Sequence, residues 1–82
     1  MGAIAAGELG RLRWHSRRAL LELDLLLERF WQRSGGNLDE EGAAQLGALL
    51  AMEDHDLWDV VSGRKEIGDA RLQPMLAALR QV

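Results

Sequence analysis

The feature that most constrains the fold of this chain is the run from Arg17 to Gln32, its longest stretch of helix-forming residues without Gly or Pro. Such a run predicts one long central helix. Ser16 stands directly before it and predicts the N-cap, because its hydroxyl can accept a hydrogen bond from a free backbone N–H. The Ser-Gly-Gly-Asn segment at 34–37 predicts the end of the helix, since glycine readily adopts the left-handed C-cap conformation.

At helical spacing this run has two faces of different character. The first face is wide and apolar, as expected of a core-facing side, and carries Ala19, Leu20, Leu23, Leu26, Leu27, Phe30 and Trp31. The second face carries Arg18, Glu22, Leu25 and Arg29, with Leu21, Glu28 and Gln32 beside them. Leu21 and Leu25 therefore lie among charges, on the side that a monomer normally keeps polar. We expect the first face to build the protein and the second to meet a partner.

The composition favours an all-α chain. Its 82 residues suffice for one small domain, and 48% of them are hydrophobic, which supports a modest core and argues against disorder. Ala, Leu, Glu and Arg dominate, whereas Val60-Val61 is the only adjacent β-branched pair. We predict a compact five-helix bundle, a single domain over residues 8–82, preceded by a flexible tail over residues 1–7.

Four shorter helices are predicted around the central one. The first covers about residues 8–14, and a third helix follows the Asp39 cap and runs to about residue 51. A fourth follows a cap at Asp54 and covers residues 55–62, and the last follows a cap at Asp69. Pro74 either marks a later start of this last helix or removes one of its internal hydrogen bonds.

Charge is divided unevenly along the chain. The net charge is −3, yet residues 11–33 hold six arginines and three acids, whereas residues 34–62 hold seven acids and no Lys or Arg. This polarity either lets the two halves attract each other or presents a basic stripe to an acidic partner. Because the whole chain is acidic and has few aromatics, we expect no nucleic-acid partner.

No sequence pattern points to a membrane span or to catalysis. Apolar runs fall short of the roughly 20 residues that a span requires, so we expect a cytoplasmic protein without membrane insertion. The absence of Cys excludes disulfides and thiolate metal sites. His15 and His55 fit no metal-binding pattern, and the acids at 53–56 fit no calcium loop. We predict no catalytic residue, no metal site and no enzymatic activity.

The residues to weigh for partner binding lie around the start of the central helix. Arg18 and Glu22 have the i, i+4 spacing of an exposed ion pair, worth roughly 0.3–0.5 kcal/mol. The neighbouring Leu21 and Leu25 favour a contact surface instead, because an apolar stripe rimmed by charge is typical of interfaces. Trp14 precedes the arginines and is expected to be half exposed.

Trp and Arg together are typical of contact hot spots, so Trp14 and Arg17 join the partner-binding candidates. The other tryptophans, Trp31 and Trp58, fall on inward faces and are predicted to belong to the core.

Two separated blocks resemble the signature of a known family. The first runs from Arg13 to Asp24 and is similar to the W-x-x-R-R-G-x-x-E-L-D pattern of the SdhE, or succinate dehydrogenase assembly factor 2, family. The second, from Leu49 to Gly63, contains D-H-D-L-W and resembles the D-x-D-L-W/F stretch of that family. The resemblance extends over nearly the whole chain from Leu9 onward.

The resemblance implies a five-helix protein that binds the flavoprotein subunit of succinate dehydrogenase, or in some bacteria of fumarate reductase. It implies that the protein promotes covalent attachment of FAD to a histidine of that client by the client's own chemistry. No cofactor would then be stably bound to this chain. By position, Arg18 and Glu22 would be the charged pair at the client surface, with Arg17 and Trp14 near them.

The resemblance also implies a mainly structural role for Asp56 and Trp58 in the second block. Ala19 departs from the family pattern, which has glycine at this position. Glycine within a helix costs roughly 0.5–1 kcal/mol relative to alanine, so its usual presence suggests that another backbone comes close. We therefore count Ala19 among the partner-binding residues. We predict that Ala19→Gly lowers the melting temperature and keeps or improves flavinylation of the client.

Other functions stay open at this point. A generic helical interaction module, such as an antitoxin-type or cytoskeletal regulator, would use the same surface, and some members of the resembling family carry an antitoxin label. A nucleic-acid binder built on the third and fourth helices conflicts with the seven acids there. A flavin enzyme lacks a dinucleotide fingerprint and has little room for FAD.

Overall fold

The computed structural model describes residues 6–82. Over that range the chain forms five α-helices and one 3-10 helix, without strands. In chain order they are α1 Ala6–His15, α2 Leu21–Ser34, α3 Glu40–Leu50, α4 Asp54–Val61, the 3-10 helix Ala70–Leu72 and α5 Gln73–Arg80. The predicted all-α, five-helix fold is therefore confirmed. Residues 1–5 of the predicted tail lie outside the described residues, whereas Ala6 and Gly7 already belong to α1.

The core is built from the leucines of four helices. The largest fully buried side chains come from α2, α3, α4 and α5 and are Leu23, Leu27, Leu46, Leu49, Leu57, Leu76 and Leu79. On α2, α3 and α5 these residues recur at intervals of three or four, and on α4 Leu57 is followed at the same spacing by the buried Val60 and Val61. Each of these helices therefore buries one face and leaves the opposite face in water. Phe30 and Trp31 extend the core in an edge-to-face pair with ring centroids 5.6 Å apart.

The ends of the helices follow local capping chemistry. Asp39 caps α3 by accepting a hydrogen bond from Gly42 N–H at 2.7 Å. Gly35 ends α2 in the left-handed region, with φ 72°. Pro74 lies in the first turn of α5, where no helical donor is lost, so this helix starts later than Asp69, which caps the 3-10 helix.

The segment 16–20 is not helical, which corrects the prediction of a central helix starting at Arg17. We call residues 16–20 the linking turn. Ser16 is not the N-cap of α2: its hydroxyl donates to the Leu12 carbonyl at 2.8 Å and accepts from Trp31 Nε1 at 2.9 Å. Leu20 is the N-cap instead and makes no side-chain capping bond.

Carboxylates from outside the linking turn bind its backbone. Arg18 N–H donates to Asp24 Oδ1 at 2.9 Å, and Leu20 N–H donates to Asp54 Oδ2 at 3.3 Å. Because these donors are satisfied without helical geometry, the good helix propensity of Arg18, Ala19 and Leu20 does not decide their conformation. None of the helices within residues 6–82 is long and apolar enough to cross a membrane.

Candidate functional site

Arg18 points into the protein, and its side chain is only 12% exposed. Its guanidinium donates to the carbonyls of Leu50 and Met52 and lies 3.2 Å from Asp54 Oδ1. These acceptors belong to the end of α3 and the start of α4, so Arg18 ties the linking turn to the α3–α4 connection. The predicted exposed helical pair of Arg18 with Glu22 is therefore wrong: Arg18 precedes α2, and its ionic partner is Asp54.

Asp54 binds the linking turn at two points. Its Oδ1 atom accepts from Arg18 Nη1, and its Oδ2 atom accepts from the backbone N–H of Leu20. Burial raises the pKa of Asp54, but the Arg18 hydrogen bond, the Leu20 N–H and the Arg18 charge together hold it below the ordinary value of 3.8. The carboxyl group is consequently ionised at neutral pH.

The two sequence blocks that carry the family resemblance therefore meet in space. Arg18 belongs to the first block and Asp54 to the second, 36 residues further along the chain. The sequence pattern assigned Asp54 to helix capping and missed this contact. The available signal for this contact was that Asp54 is the first aspartate of the D-H-D-L-W motif in the second block.

Other residues of the two blocks also serve the fold. Leu23 is fully buried in the core. Asp24 accepts a hydrogen bond from the linking turn and lies 3.8 Å from Arg17 Nε. Trp58 is half-buried against the core, and the exposed Asp56 lies 3.9 Å from Lys65 Nζ. Trp58 thus packs on the fold, whereas the implied structural role of Asp56 stays a prediction, because its ion pair is exposed to water.

Three of the predicted partner-binding residues are large apolar side chains that stay in water. Trp14 is 73% exposed, Leu21 is 64% exposed and Leu25 is 42% exposed. Within residues 6–82 they are the exposed large hydrophobic side chains. Trp31, by contrast, is buried, as predicted. The three large apolar residues that the sequence analysis assigned to partner binding are thus exposed in the fold.

Polar and small residues surround these apolar side chains. Arg17, Ala19 and Glu22 are all exposed. Ala19 does not face the core as the helical pattern predicted, because it lies in the linking turn. Glu22 occupies the first turn of α2 and makes no salt bridge within the described part of the chain. We call Trp14, Arg17, Ala19, Leu21, Glu22 and Leu25 the exposed face.

Two hollows border the exposed face. One, of about 460 Å³, lies between α1 and α2 and is lined by Trp14, Arg17, Asp24 and Glu28, among others. The second, of about 280 Å³, lies over the linking turn and is lined by Trp14, Arg17, Ala19 and the Arg18–Asp54 pair. Trp14 and Arg17 line both hollows, so the turn and the α1–α2 side form one continuous surface.

Arg13 and Ser16 attach α1 to α2 beneath this surface. The Arg13 guanidinium carbon lies 5.4 Å from the centroid of the Trp31 ring, and the indole N–H of Trp31 donates to the Ser16 hydroxyl. Trp31 therefore holds the C-terminal end of α1, and with it the position of Trp14. No group of three or more His, Asp or Glu side chains within residues 6–82 is arranged to hold a metal ion.

Comparisons with known proteins identify relatives of this chain. A family described as Sdh5, flavinator of succinate dehydrogenase, matches residues 10–82. The FAD assembly factor SdhE of Pseudomonas aeruginosa is 46% identical over 69 residues, which cover 84% of this chain and 82% of that protein. The protein of the same name from Pseudomonas putida is 44% identical over 69 residues, with the same shares covered.

A more distant relative, the FAD assembly factor SdhE of Xylella fastidiosa, is 32% identical over 73 residues, or 89% of this chain and 75% of that protein. No solved structure matches the chain. The family predicted from the two sequence blocks is therefore confirmed. These relatives are named as assembly factors, which agrees with the prediction that the chain is not an enzyme.

Proposed function

The chain belongs to the family of succinate dehydrogenase flavinators, and from this membership we propose that it binds the flavoprotein subunit of succinate dehydrogenase and promotes its covalent flavinylation. The observation that carries the docking part of the proposal is the exposed face. Trp14, Leu21 and Leu25 remain in water there, and Glu22 makes no salt bridge with any residue in 6–82. An apolar centre with a charged rim is the usual anatomy of a protein interface.

The way the fold uses the first sequence block supports this proposal. Arg18, Leu23 and Asp24 are engaged in internal contacts. Trp14 and Glu22 stabilise little or nothing within the described chain, because the former is largely exposed and the latter makes no salt bridge. Side chains that the fold does not use are available to a partner.

The apolar residues supply the affinity and Glu22 supplies orientation. Fully burying a side chain such as leucine contributes about 1.5–3 kcal/mol before the entropic cost of association is subtracted. Burying Leu21, Leu25 and Trp14 against a client would therefore contribute to the affinity. Glu22 can accept charge-assisted hydrogen bonds from an arginine or lysine of the client, which fixes the register of docking.

Flavinylation itself belongs to the client in this proposal. FAD becomes attached to the flavoprotein subunit, and this chain binds no cofactor stably. The chain acts by raising the population of a flavinylation-competent client conformation, which requires that it bind this conformation more tightly than the others. A preference of about 1.4 kcal/mol raises that population ratio ten-fold.

The direct test uses a strain from which the gene has been deleted. Covalent flavin fluorescence of the flavoprotein subunit is measured in a denaturing gel after complementation with the wild-type chain, with Glu22→Ala or with Leu21→Ala/Leu25→Ala. We expect the wild type to restore fluorescence and the two variants to reduce it by about ten-fold or more. Glu66→Ala, which removes an exposed acid from the loop before α5, is the matched control and should behave as wild type.

Unchanged client fluorescence in the deletion strain would remove the proposed function. Full complementation by both surface variants would remove the proposed docking face. Repeating the assay on the flavoprotein subunit of fumarate reductase decides whether the range of clients extends to that enzyme. If neither flavoprotein responds, a generic helical interaction module such as an antitoxin-type regulator is the remaining alternative.

A further inference from the structure

The linking turn is held by contacts from outside itself. The backbone N–H groups of Arg18 and Leu20 donate to the carboxylates of Asp24 and Asp54 rather than to helical carbonyls. The N-cap of α2, Leu20, offers no side-chain acceptor to the free N–H groups of the first turn. Leu21 and Glu22, two residues of the exposed face, lie in that first turn. Their positions therefore depend on whatever fixes residues 18–20.

One carboxylate holds the turn on both sides of Ala19. Asp54 Oδ1 lies 3.2 Å from Arg18 Nη1, and Asp54 Oδ2 lies 3.3 Å from the backbone nitrogen of Leu20. The side chain of Asp54 is itself only 25% exposed, so these contacts are partly shielded from water. The turn is thus pinned to the first residue of α4.

In this arrangement the guanidinium of Arg18 directs its hydrogen bonds to the protein itself and not to a client. Nη1 donates to both Met52 O and Asp54, Nη2 donates to Leu50 O, and Nε is buried without a hydrogen-bond partner within the described chain. To contact another protein, the guanidinium would have to leave three internal acceptors. Binding that required this rearrangement would be weakened by the small population of the rearranged state.

We infer that Arg18 and Asp54 are positioning residues that present Ala19, Leu21 and Glu22 to the client without touching it. This inference rests on the proposed function, because it assigns how the docking face is held in place. Arg18 and Asp54 act as one unit, since the same Asp54 carboxylate binds both the Arg18 guanidinium and the Leu20 N–H. The leucine core does not depend on the pair, so its loss moves the turn and leaves the bundle folded.

A double-mutant cycle on client binding tests the pair. The dissociation constant for the purified, non-flavinylated flavoprotein subunit is measured by titration calorimetry with wild type, Arg18→Ala, Asp54→Ala and the double variant. We expect each single variant to weaken binding about ten-fold and the double variant to be weaker than either single by less than about two-fold. Losses that multiply would overturn the inference, as would normal binding by Asp54→Ala combined with lost binding by Arg18→Ala.

Conservative variants separate position from charge. Arg18→Lys keeps the positive charge but cannot bind two carbonyls and a carboxylate at once, so it should also weaken binding. Wild-type binding by Arg18→Lys would contradict the inference. Asp54→Asn retains an acceptor for Leu20 N–H, and it should weaken binding less than Asp54→Ala. If Asp54→Ala fails to fold, Asp54→Asn takes its place in the binding measurements.

Amide hydrogen exchange distinguishes a moved turn from a generally weakened protein. In Asp54→Asn and Arg18→Lys, we expect exchange to accelerate at residues 18–22, while Leu46 and Leu57 keep their protection. Equal loss of protection at the core leucines would assign the pair to global stability and overturn its positioning role. The proposed function fails separately, if covalent flavin fluorescence of the client is unchanged in the deletion strain.

Discussion

Asp54 is the residue at which charge, folding and pH are most directly linked. Its pKa is lowered in the folded state, despite the opposing effect of burial, by Arg18 and by the N–H of Leu20. A carboxyl group with a lowered folded pKa stabilises the protein above its unfolded pKa, and that stabilisation is lost as pH falls through the folded value. The wild-type protein should therefore lose stability below the ordinary carboxyl value of 3.8.

We predict that Asp54→Asn is less stable than wild type at pH 7 and that the difference narrows below about pH 4. Asp69 also has a lowered pKa, caused by its hydrogen bonds with Arg71, and contributes to the acid dependence of both proteins. Urea denaturation at pH 7 and at pH 3 provides the measurement. A stability difference that stays constant between these pH values would show that the charge of Asp54 is not the cause.

Ala19→Gly is expected to lower stability for a different reason from the one that the sequence indicated. Ala19 lies in the linking turn, and no non-glycine residue within residues 6–82 has a positive φ, so the turn does not require glycine. Glycine would still increase the entropy of the unfolded chain, which lowers the free energy of unfolding by about 0.4–1 kcal/mol.

Thermal denaturation and the client flavinylation assay together check the Ala19→Gly variant. We expect a lower melting temperature with flavinylation kept or improved, because the exposed methyl group of Ala19 lies at the docking face. Matched losses of melting temperature and flavinylation would contradict a surface role for this residue.

At the scale of elements, α1 differs from the other α-helices because none of its residues 7–15 is buried. It packs on the core through the half-buried Leu9 and Leu12 and is attached to α2 by the Ser16 and Arg13 contacts with Trp31. Gly10 lies inside α1, where a glycine lowers helix stability. Substituting Gly10 by a residue with higher helix propensity should therefore stabilise α1, the helix that carries Trp14.

We predict that Gly10→Ala stabilises the protein by about 0.5–1 kcal/mol, whereas Gly35→Ala destabilises it by about 1–2 kcal/mol. A Cβ atom at either position would meet no atom within 4 Å, so sterics do not distinguish them. The backbone does, because Gly35 has φ 72° and Gly10 is helical. Chemical denaturation of both variants is the measurement, and changes of the same sign would refute this explanation.

The helices also show how much of the fold could be predicted from helical periodicity in the sequence. It predicted α3 and α4 to within a residue or two, because their buried residues recur at helical spacing and Asp39 caps α3 locally. The N-cap of α4 is Glu53, without a side-chain capping bond, and not Asp54 as the sequence indicated. Periodicity failed at residues 16–20, since the acceptor for Leu20 N–H comes from Asp54, a contact between distant parts of the chain. The exposure of Leu21 and Leu25 was predictable from α2 alone, whereas the burial of Arg18 was not.

For the whole molecule, the uneven charge of the sequence contributes to folding. The Arg18–Asp54 ion pair joins the arginine-rich part of the chain, residues 11–33, to the acidic part, residues 34–62. The sequence left two interpretations of this charge distribution open. Attraction between the two halves of the chain is therefore supported by a specific ion pair. The exposed face is not a basic stripe, because Asp24 and Glu28 line the same hollow as its Arg17.

In the whole molecule the core stabilises the fold, whereas the exposed face is left for the client. Substituting one tryptophan of each tests whether these two roles are separate. Trp31→Ala should lower the free energy of unfolding by about 3–5 kcal/mol, because the indole is buried and hydrogen-bonded to Ser16. Trp14→Ala should change stability by less than about 0.5 kcal/mol and yet weaken client binding. Denaturation curves and client titrations of both variants give the comparison, and a large stability loss in Trp14→Ala would count against the separation.

The measurement that tests the account most directly is site-specific photocross-linking to the flavoprotein subunit. A photoreactive amino acid is placed at Leu25 on the exposed face of α2 or, as the control, at Ala48, which is exposed on α3. The account predicts a cross-link from position 25 to the non-flavinylated subunit and none from position 48. A cross-link from position 48 without one from position 25 would show that the client binds elsewhere and would contradict the account.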